Sequence, residues 1–338
     1  MRAIGYQQPG PISDPASLCD IDLPRPSPTG RDLLVRVRAV SVNPVDTKIR
    51  SSAAPEAGGW KVLGWDAAGT VVEAGLQTTR FKTGDEVYYA GAIGRPGTNA
   101  EYHLVDERIV GRKPASLDFS EAAALPLTAI TAWEALFDRL EVRRPVAGAA
   151  PVLLVIGGAG GVGSMAIQLA RVLTGLTVIA TASRPETVQW VEALGAHHVI
   201  NHREPLAPQV EALGLGAPSV VFSTTNTNDH VGDIAELIAP QGRFALIDDP
   251  KSLDIVPFKR KSVSIHWELM FTRSIYDTQD IEQQGILLGE VARLVDQARL
   301  RSTMTQQFGT INAANLKRAH ALLESGRSIG KIVLSGFE

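Results

Sequence analysis

Five glycines fall within seven consecutive positions at the end of the stretch Val152–Gly163, VLLVIGGAGGVG. Gly158, Gly160 and Gly163 fit the spacing G-x-G-x-x-G, Gly161 and Val162 lie inside it, and the helical pattern Ser164–Leu173 follows at once. A buried strand, a tight glycine turn and a helix N-terminus together make an anion site. Glycine lets the backbone approach a pyrophosphate, and the free N–H groups and dipole of the helix hold its charge. The chemistry expected here is dinucleotide binding and, through it, redox transfer.

The charge that follows the second strand of such a unit selects the dinucleotide. An acid pairs with a ribose 2′-hydroxyl, whereas a cation accepts a 2′-phosphate. The strand-like Leu176–Ala180 runs into Thr181–Ala182–Ser183–Arg184, with no Asp or Glu between Gly163 and Arg184. Ser183 can donate a hydroxyl and Arg184 a charge-assisted fork. NADPH is therefore the expected cofactor, although an arginine before Pro185 also fits an ordinary solvated surface. His202 and Arg203, after the third strand, either add donors at the adenosine end or form an exposed loop pair.

Two kinds of element must position these residues. Before about residue 120, short strand-like runs alternate with turns: Leu33–Val42, Gly69–Ala74, Glu86–Ala90 and Ala100–Val105. The alternation LLVRVRAVSV suits a half-buried strand, so this section reads as a mainly β domain, a partly open barrel. From Phe119 the pattern turns helical. Apolar strands at 152–156, 176–180, 198–200, 219–222 and 243–247 then alternate with helical stretches at 162–173, 186–194, 206–213 and 231–238. That order implies a doubly wound parallel sheet with helices on both faces. The tail carries helical patterns at 280–300 and 314–324, then a strand at 331–334, and can return to complete the first domain.

The totals agree with a two-domain globular chain of 338 residues. A net charge of −3 with both signs scattered favours neither nucleic acid nor an anionic membrane as partner. No apolar run is long enough to span a bilayer, and Met1–Tyr6 reads as a first strand rather than a targeting segment. The single Cys19 forbids an internal disulfide and suits a reducing compartment, so the cytoplasm is the expected location.

Four further motifs now join the glycine loop: Ser41–Val42–Asn43–Pro44–Val45–Asp46–Thr47–Lys48, Leu63–Gly64–Trp65–Asp66–Ala67–Ala68–Gly69, Phe81–Lys82–Thr83–Gly84–Asp85–Glu86–Val87, and Ala122–Ala123–Ala124–Leu125–Pro126–Leu127–Thr128. In this order they resemble the medium-chain dehydrogenase/reductase superfamily across nearly the whole chain, closest to its zinc-free, quinone-oxidoreductase-like branch. The resemblance implies an α/β architecture: a GroES-like, partly open β-barrel domain over 1–124, a Rossmann domain over 125–270, and a return to the catalytic domain over 271–338. It also implies an active-site cleft between the two domains and a homodimer made by pairing Rossmann sheets edge to edge.

The zinc enzymes of this superfamily place Cys where this chain has Asn43, and Gly-His-Glu where it has Gly64–Trp65–Asp66. An indole cannot bind metal. The four-cysteine structural lobe is missing, and the seven histidines form no ligand-like cluster. No metal is expected. Without a Lewis acid, reduction of a quinone or an activated alkene is easier than carbonyl chemistry, because donors alone can stabilise charge on a conjugated oxygen.

The resemblance sets Asn43 beside nicotinamide and substrate, as an oxyanion donor or ribose contact; before Pro44 it also fits a plain turn. Asp46 and Lys48, two apart in what reads as a loop, either orient each other at the site or form a surface pair. Trp65 walls the cleft or stacks on a flat substrate. Tyr88 and Tyr89 alternate in a strand, so only one faces the cleft; Tyr89 is the candidate proton donor, with simple packing as the alternative. By the resemblance Thr128 lies near the nicotinamide and its phosphate, or else is a helix-interior hydroxyl bonding its own backbone. Thr224 and Thr225 match ribose-contacting positions. Phe271 of the Trp267–Phe271 segment meets the carboxamide or walls the substrate pocket, or else ends a core or interface strand. Lys331, and less so Arg327, are candidates for the phosphate end. The expected protein is an NADPH-dependent, zinc-independent oxidoreductase passing hydride to a quinone, enone or enal. A zinc-type alcohol dehydrogenase-like enzyme, and an NADPH-binding sensor or structural protein with little turnover, are the alternatives.

Overall fold

The computed structural model describes residues 1–56 and 58–337. It divides into two units: Met1–Ile130 together with Phe271–Glu338, and Thr131–Met270. In chain order the first unit holds β1 (Arg2–Tyr6), β2 (Cys19–Asp22), β3 (Asp32–Val42), α1 (Pro44–Ser52), β4 (Lys61–Val62), β5 (Ala67–Ala74), β6 (Glu86–Tyr89), β7 (Tyr102–Asp106), β8 (Val110–Arg112) and α2 (Phe119–Ala123). Helix α3 (Pro126–Trp133) carries the unit boundary and runs into a π-turn, Glu134–Arg139. The second unit continues with β9 (Ala150–Ile156), α4 (Gly161–Leu173), β10 (Thr177–Thr181), α5 (Pro185–Ala193), β11 (His198–Ile200), α6 (Leu206–Ala212), β12 (Pro218–Ser223), α7 (Thr227–Leu237), β13 (Arg243–Leu246) and β14 (Ser264–Trp267). The tail adds α8 (Thr272–Tyr276), α9 (Gln283–Asp296), β15 (Met304–Gln307), α10 (Ala313–Glu324) and β16 (Lys331–Ser335).

The first unit is built on a sheet ordered β15-β16-β3-β5-β6-β8, with β7 also paired to β3, and a smaller sheet β2-β1-β4. Strand β3 explains its own sequence. Arg36 and Arg38 point outward, while the apolar residues around them are buried between neighbours on both edges. Strand β16 from the tail pairs antiparallel with the end of β3, Ile332 opposite Val42, which brings Lys331 beside Asn43.

The second unit has the parallel order β11-β10-β9-β12-β13-β14. Numbered from its first strand this is 3-2-1-4-5-6, the Rossmann order, and it puts the switch point between β9 and β12. Short apolar strands and amphipathic helices bury one continuous core, with Leu154, Val221, Ile234 and Phe244 fully enclosed. The chain is thus an α/β protein with a GroES-like sheet unit and a Rossmann unit. Among the described residues no helix is long and apolar enough to cross a membrane.

One local reading is corrected. The Asn43–Lys48 segment is the head of helix α1, not a loop. Asn43 takes the N-cap, Pro44 sits in the first turn, and the Asp46 carboxylate accepts the Asn43 backbone N–H at 2.7 Å. Proline at the helix start and an acid at the third position are start signals.

Candidate active site

In the first unit three sequence candidates, Asn43, Asp46 and Lys331, gather around the N-terminus of α1 together with Asp66, which the sequence did not single out. Asn43, Asp46, Asp66 and Lys331 are all buried. The Asn43 Nδ2 donates to Asp66 Oδ2 at 2.8 Å, and the Leu127 backbone N–H donates to Asp66 Oδ1 at 2.7 Å. Lys331 Nζ lies 3.0 Å from Asp66 Oδ2, donates to the Val42 carbonyl at 2.8 Å, and donates to Asn43 Oδ1. An ammonium has three donors, and these contacts occupy all of them. Lys331 therefore has none left for a phosphate, contrary to its expected place at the phosphate end. The Asn43 amide is likewise engaged on both its oxygen and its nitrogen, so it fixes the cluster rather than offering an idle donor.

Burial pushes the Asp66 carboxyl above its ordinary range and the Lys331 ammonium below its own, and their mutual attraction opposes both shifts. Asp66 receives three donors, from Asn43, Leu127 and Lys331, and each favours its charged form against the cost of burial. Asp46 differs. Burial raises its pKa to about 7, against the Asn43 N–H, the Lys331 charge and the Gly64 backbone, while Asp66 pushes the same way as burial. Its Oδ1 is sealed from solvent without a hydrogen-bond partner of good geometry.

The remaining candidates of this unit are distributed otherwise. Lys48 is exposed and does not accompany Asp46, since positions two apart point to different sides of a helix. The cation acting on Asp46 is Lys331. Trp65 is buried, donates its Nε1–H to the Ala92 carbonyl at 3.3 Å, and meets Phe271 edge-on at 6.2 Å. Tyr89 stacks on His103, its hydroxyl 3.1 Å from Nδ1, while His103 Nε2 lies 3.0 Å from the Pro96 carbonyl. Burial holds His103 neutral, with a pKa near 4. A carbonyl only accepts, so Nε2 carries the hydrogen and Tyr89 donates to Nδ1. Burial also raises the Tyr89 phenol, so its proton is committed inside the barrel. Tyr88 donates to the Leu288 carbonyl at 2.6 Å, and Thr128 to the Leu125 carbonyl at 3.0 Å. Arg327 is exposed on the tail.

In the second unit the glycine loop joins β9 to α4. Gly160 is the N-cap, and Gly161, Val162 and Gly163 supply the first-turn N–H groups that a helix leaves unpaired. A Cβ on Gly163 would lie 2.3 Å from the Gly157 carbonyl oxygen, so only glycine fits there. Gly157, outside the G-x-G-x-x-G triplet, is the loop residue with a left-handed φ of +80°. Gly158 packs against Ala180 of β10. Thr224, at the end of β12, donates to the Ile156 carbonyl at 2.9 Å and so ties the two strands that flank the switch point; Thr225 beside it is exposed. The loop is thus a pared backbone cradle at a helix N-terminus, which fits a dinucleotide pyrophosphate.

The ends of β10 and β11 carry Ser183–Arg184 and His202–Arg203. Burial lowers the His202 pKa, and the neighbouring His230, Arg203 and Arg184 lower it further, so four basic side chains converge there. The His202 Nδ1 is buried without a hydrogen-bond partner among the described residues. Arg184 Nε lies 3.2 Å from Glu186. Sequence reasoning missed a second buried acid site in this unit. Glu268 is buried within the Trp267–Phe271 segment, and its Oε2 accepts from Arg139 Nε at 2.9 Å. Burial and the adjoining Glu134 raise its pKa to about 9, so the two carboxyls share a proton at neutral pH. Nothing in the spacing of residues 134 and 268 announces this.

The sequence matches the alcohol dehydrogenase GroES-like domain over residues 29–115 and the zinc-binding dehydrogenase family over 161–284. It is 39% identical to a zinc-type alcohol dehydrogenase-like protein of Staphylococcus aureus, over 99% of this chain and 100% of that one. The chain belongs to the medium-chain dehydrogenase/reductase superfamily. As a member of that superfamily it is an oxidoreductase with a dinucleotide-binding Rossmann unit. It is similar to the crystal structure of a Rhizobium etli protein described as a zinc-dependent alcohol dehydrogenase, with a TM-score of 0.99, 65% identity, and coverage of 100% of this chain and 98% of that one. It is also similar to the quinone oxidoreductase of Coxiella burnetii, with a TM-score of 0.80, 29% identity, and 99% of each chain covered.

Zinc does not fit the residues of this superfamily member. At the two ligand positions stand an amide already bonded to Asp66 and Lys331, and an indole bonded to a carbonyl. The nearby ammonium adds like charge to any metal ion. Among the described residues no group of three or more His, Cys, Asp or Glu side chains gathers to hold a metal.

Proposed function

We propose that this oxidoreductase uses NADPH to reduce a quinone or an activated alkene, an enone or enal, without a metal. The observation that carries the reading is the buried cluster in which Asn43 and Lys331 both bond Asp66, with Asn43 and Gly64–Trp65–Asp66 standing where the resemblance sets the Cys and Gly-His-Glu of the zinc enzymes. Similarity to a quinone oxidoreductase supports the substrate class.

When bound, NADPH supplies the hydride. The glycine loop and the first turn of α4 hold the pyrophosphate. Arg184, Ser183 and His202 hold the 2′-phosphate, Arg184 exchanging its Glu186 contact for the stronger fork. Asn43 and Lys331 act as positioning residues that lock the head of α1 against β3 and β16. Asp46, poised near neutrality, is the group of this cluster able to hold and release the proton that completes the reduction. Trp65 and Phe271 give an apolar wall. A homodimer joined at the edge strand β14, whose Trp267 is exposed, is the assembly that accompanies this reading.

NADPH oxidation followed against a panel of quinones, enones and enals tests the proposal. Turnover on at least one class is expected. Tight NADPH binding with no turnover on any acceptor overturns it in favour of a sensor or structural role.

A further inference from the structure

One cavity of the first unit belongs to neither site above. It measures about 750 Å³ and opens between strand β8 and helix α9. Neither Asn43, Asp46, Trp65 nor Lys331 lines it. Its volume is in the range of small-molecule pockets. Phe81, Ala292 and the half-exposed Ile286 give it apolar walls, and Arg80, Arg112 and Arg293 bring cations to it.

These charges are not equivalent. Arg112 is paired with Asp85 at 3.1 Å and lies over the Phe81 ring, and Arg293 is paired with Glu290. Lys113, also at the wall, is satisfied by the Pro114 and Leu117 carbonyls and by Glu86. The Asp296 carboxylate is taken up by the Ala115 and Ser116 backbone N–H groups and the Ser116 hydroxyl. Arg80 stands apart: its Nη1 is buried with no hydrogen-bond partner among the described residues. A guanidinium nitrogen left unpaired at an apolar wall is costly until an anion reaches it.

We infer that this cavity binds a small, flat organic anion, its apolar body against Phe81, Ile286 and Ala292 and its carboxylate, sulfonate or phosphate on Arg80. The site is separate from the dinucleotide cradle and from the Asn43 cluster, so it holds its ligand while cofactor is bound. Helix α9 offers a direct way to close it. Gly289 lines the cavity, and a Cβ built there meets nothing within 4 Å. A leucine at that position projects into the cavity while raising helix propensity.

The test is fluorescence titration of the full-length protein, saturated with NADPH, with 8-anilinonaphthalene-1-sulfonate. Wild type is expected to bind one dye saturably. Arg80→Ala should weaken binding about tenfold or more, as for loss of a charge-assisted bond, and Gly289→Leu should abolish it, with NADPH-dependent turnover unchanged in both. Displacement of the dye by NADPH, or binding that survives Gly289→Leu, overturns the site. Binding that is lost in Gly289→Leu but unchanged in Arg80→Ala overturns the anion.

Discussion

The glycine cradle of the Rossmann unit and the charged cluster of the GroES-like unit do their work by opposite means. The cradle is backbone. Its residues are consecutive, its shape is set by sterics, and its charge comes from peptide N–H groups. The cluster is side chains. Its members are buried, three of them, Asp46, Asp66 and Lys331, are ionisable, and the cluster is joined by a bond between residues 288 positions apart. A backbone site is robust to pH and brittle to added atoms. A buried ionic site is the reverse, tolerant of shape and sensitive to the loss of one charge.

Four changes probe that contrast. Lys331→Met should have the largest effect. It leaves the Asp66 carboxylate buried with only the Asn43 and Leu127 donors, and breaking a buried pair on one side costs about 3–5 kcal/mol. Urea denaturation should show that loss, and the double variant Lys331→Met/Asp66→Asn should recover part of it. A loss under about 1 kcal/mol, the scale of an exposed pair, would mean that the cluster is not ionic.

Asp46→Asn comes next, because Asp46 can relieve its own burial by taking up a proton. Its folded pKa, about 7, lies above the ordinary 3.8. Its contribution to stability is therefore complete below the ordinary value and lost as pH rises through about 7. Thermal melting should fall across that window in wild type and flatten in Asp46→Asn, which keeps an acceptor for the Asn43 N–H. The kcat profile should lose a step near the same pH; an unchanged profile removes Asp46 from proton delivery.

On the backbone side, Gly163→Val puts a side chain into the space of the Gly157 carbonyl. Overpacking of about 1–3 kcal/mol should appear mainly as weaker NADPH binding, roughly tenfold to a hundredfold, with little pH dependence. The smallest effect is expected from Arg184→Glu. It should turn the preference from NADPH towards NADH by a factor of about ten, the scale of one partly exposed charge-assisted contact. Unaltered preference in calorimetric titrations of both cofactors would shift the 2′-phosphate role to His202 and Arg203.

The same contrast explains what the sequence disclosed. Strand β9, the glycine loop and helix α4 are contiguous, and each carries its own local signal. The strand at 198–200 and the βα alternation are equally local. Gly157 escaped the spacing rule because its left-handed φ is a property of the turn and not of the G-x-G-x-x-G pattern. Asn43–Pro44 and Asp46 spell the start of helix α1, but the charges at Asp46 and Lys48 fit a solvated loop as well as a capped helix, so the segment reads as loop in sequence alone. The pairing of Lys331 with Asp66 and Asn43 depends on β16 docking beside β3, a tertiary fact with no short-range trace. Tyr89 reads as a free phenol in sequence, and only the burial of His103 reveals where its proton goes.

An amide and an indole, beside an internal ion pair, stand where the resemblance sets zinc ligands, and the proposed NADPH-dependent reduction needs no metal there. The most direct measurement is elemental analysis of the purified protein paired with quinone-dependent NADPH oxidation before and after dialysis against a chelator. The account predicts no stoichiometric zinc and undiminished turnover. One zinc per chain, with activity lost on chelation and restored by zinc, would contradict it.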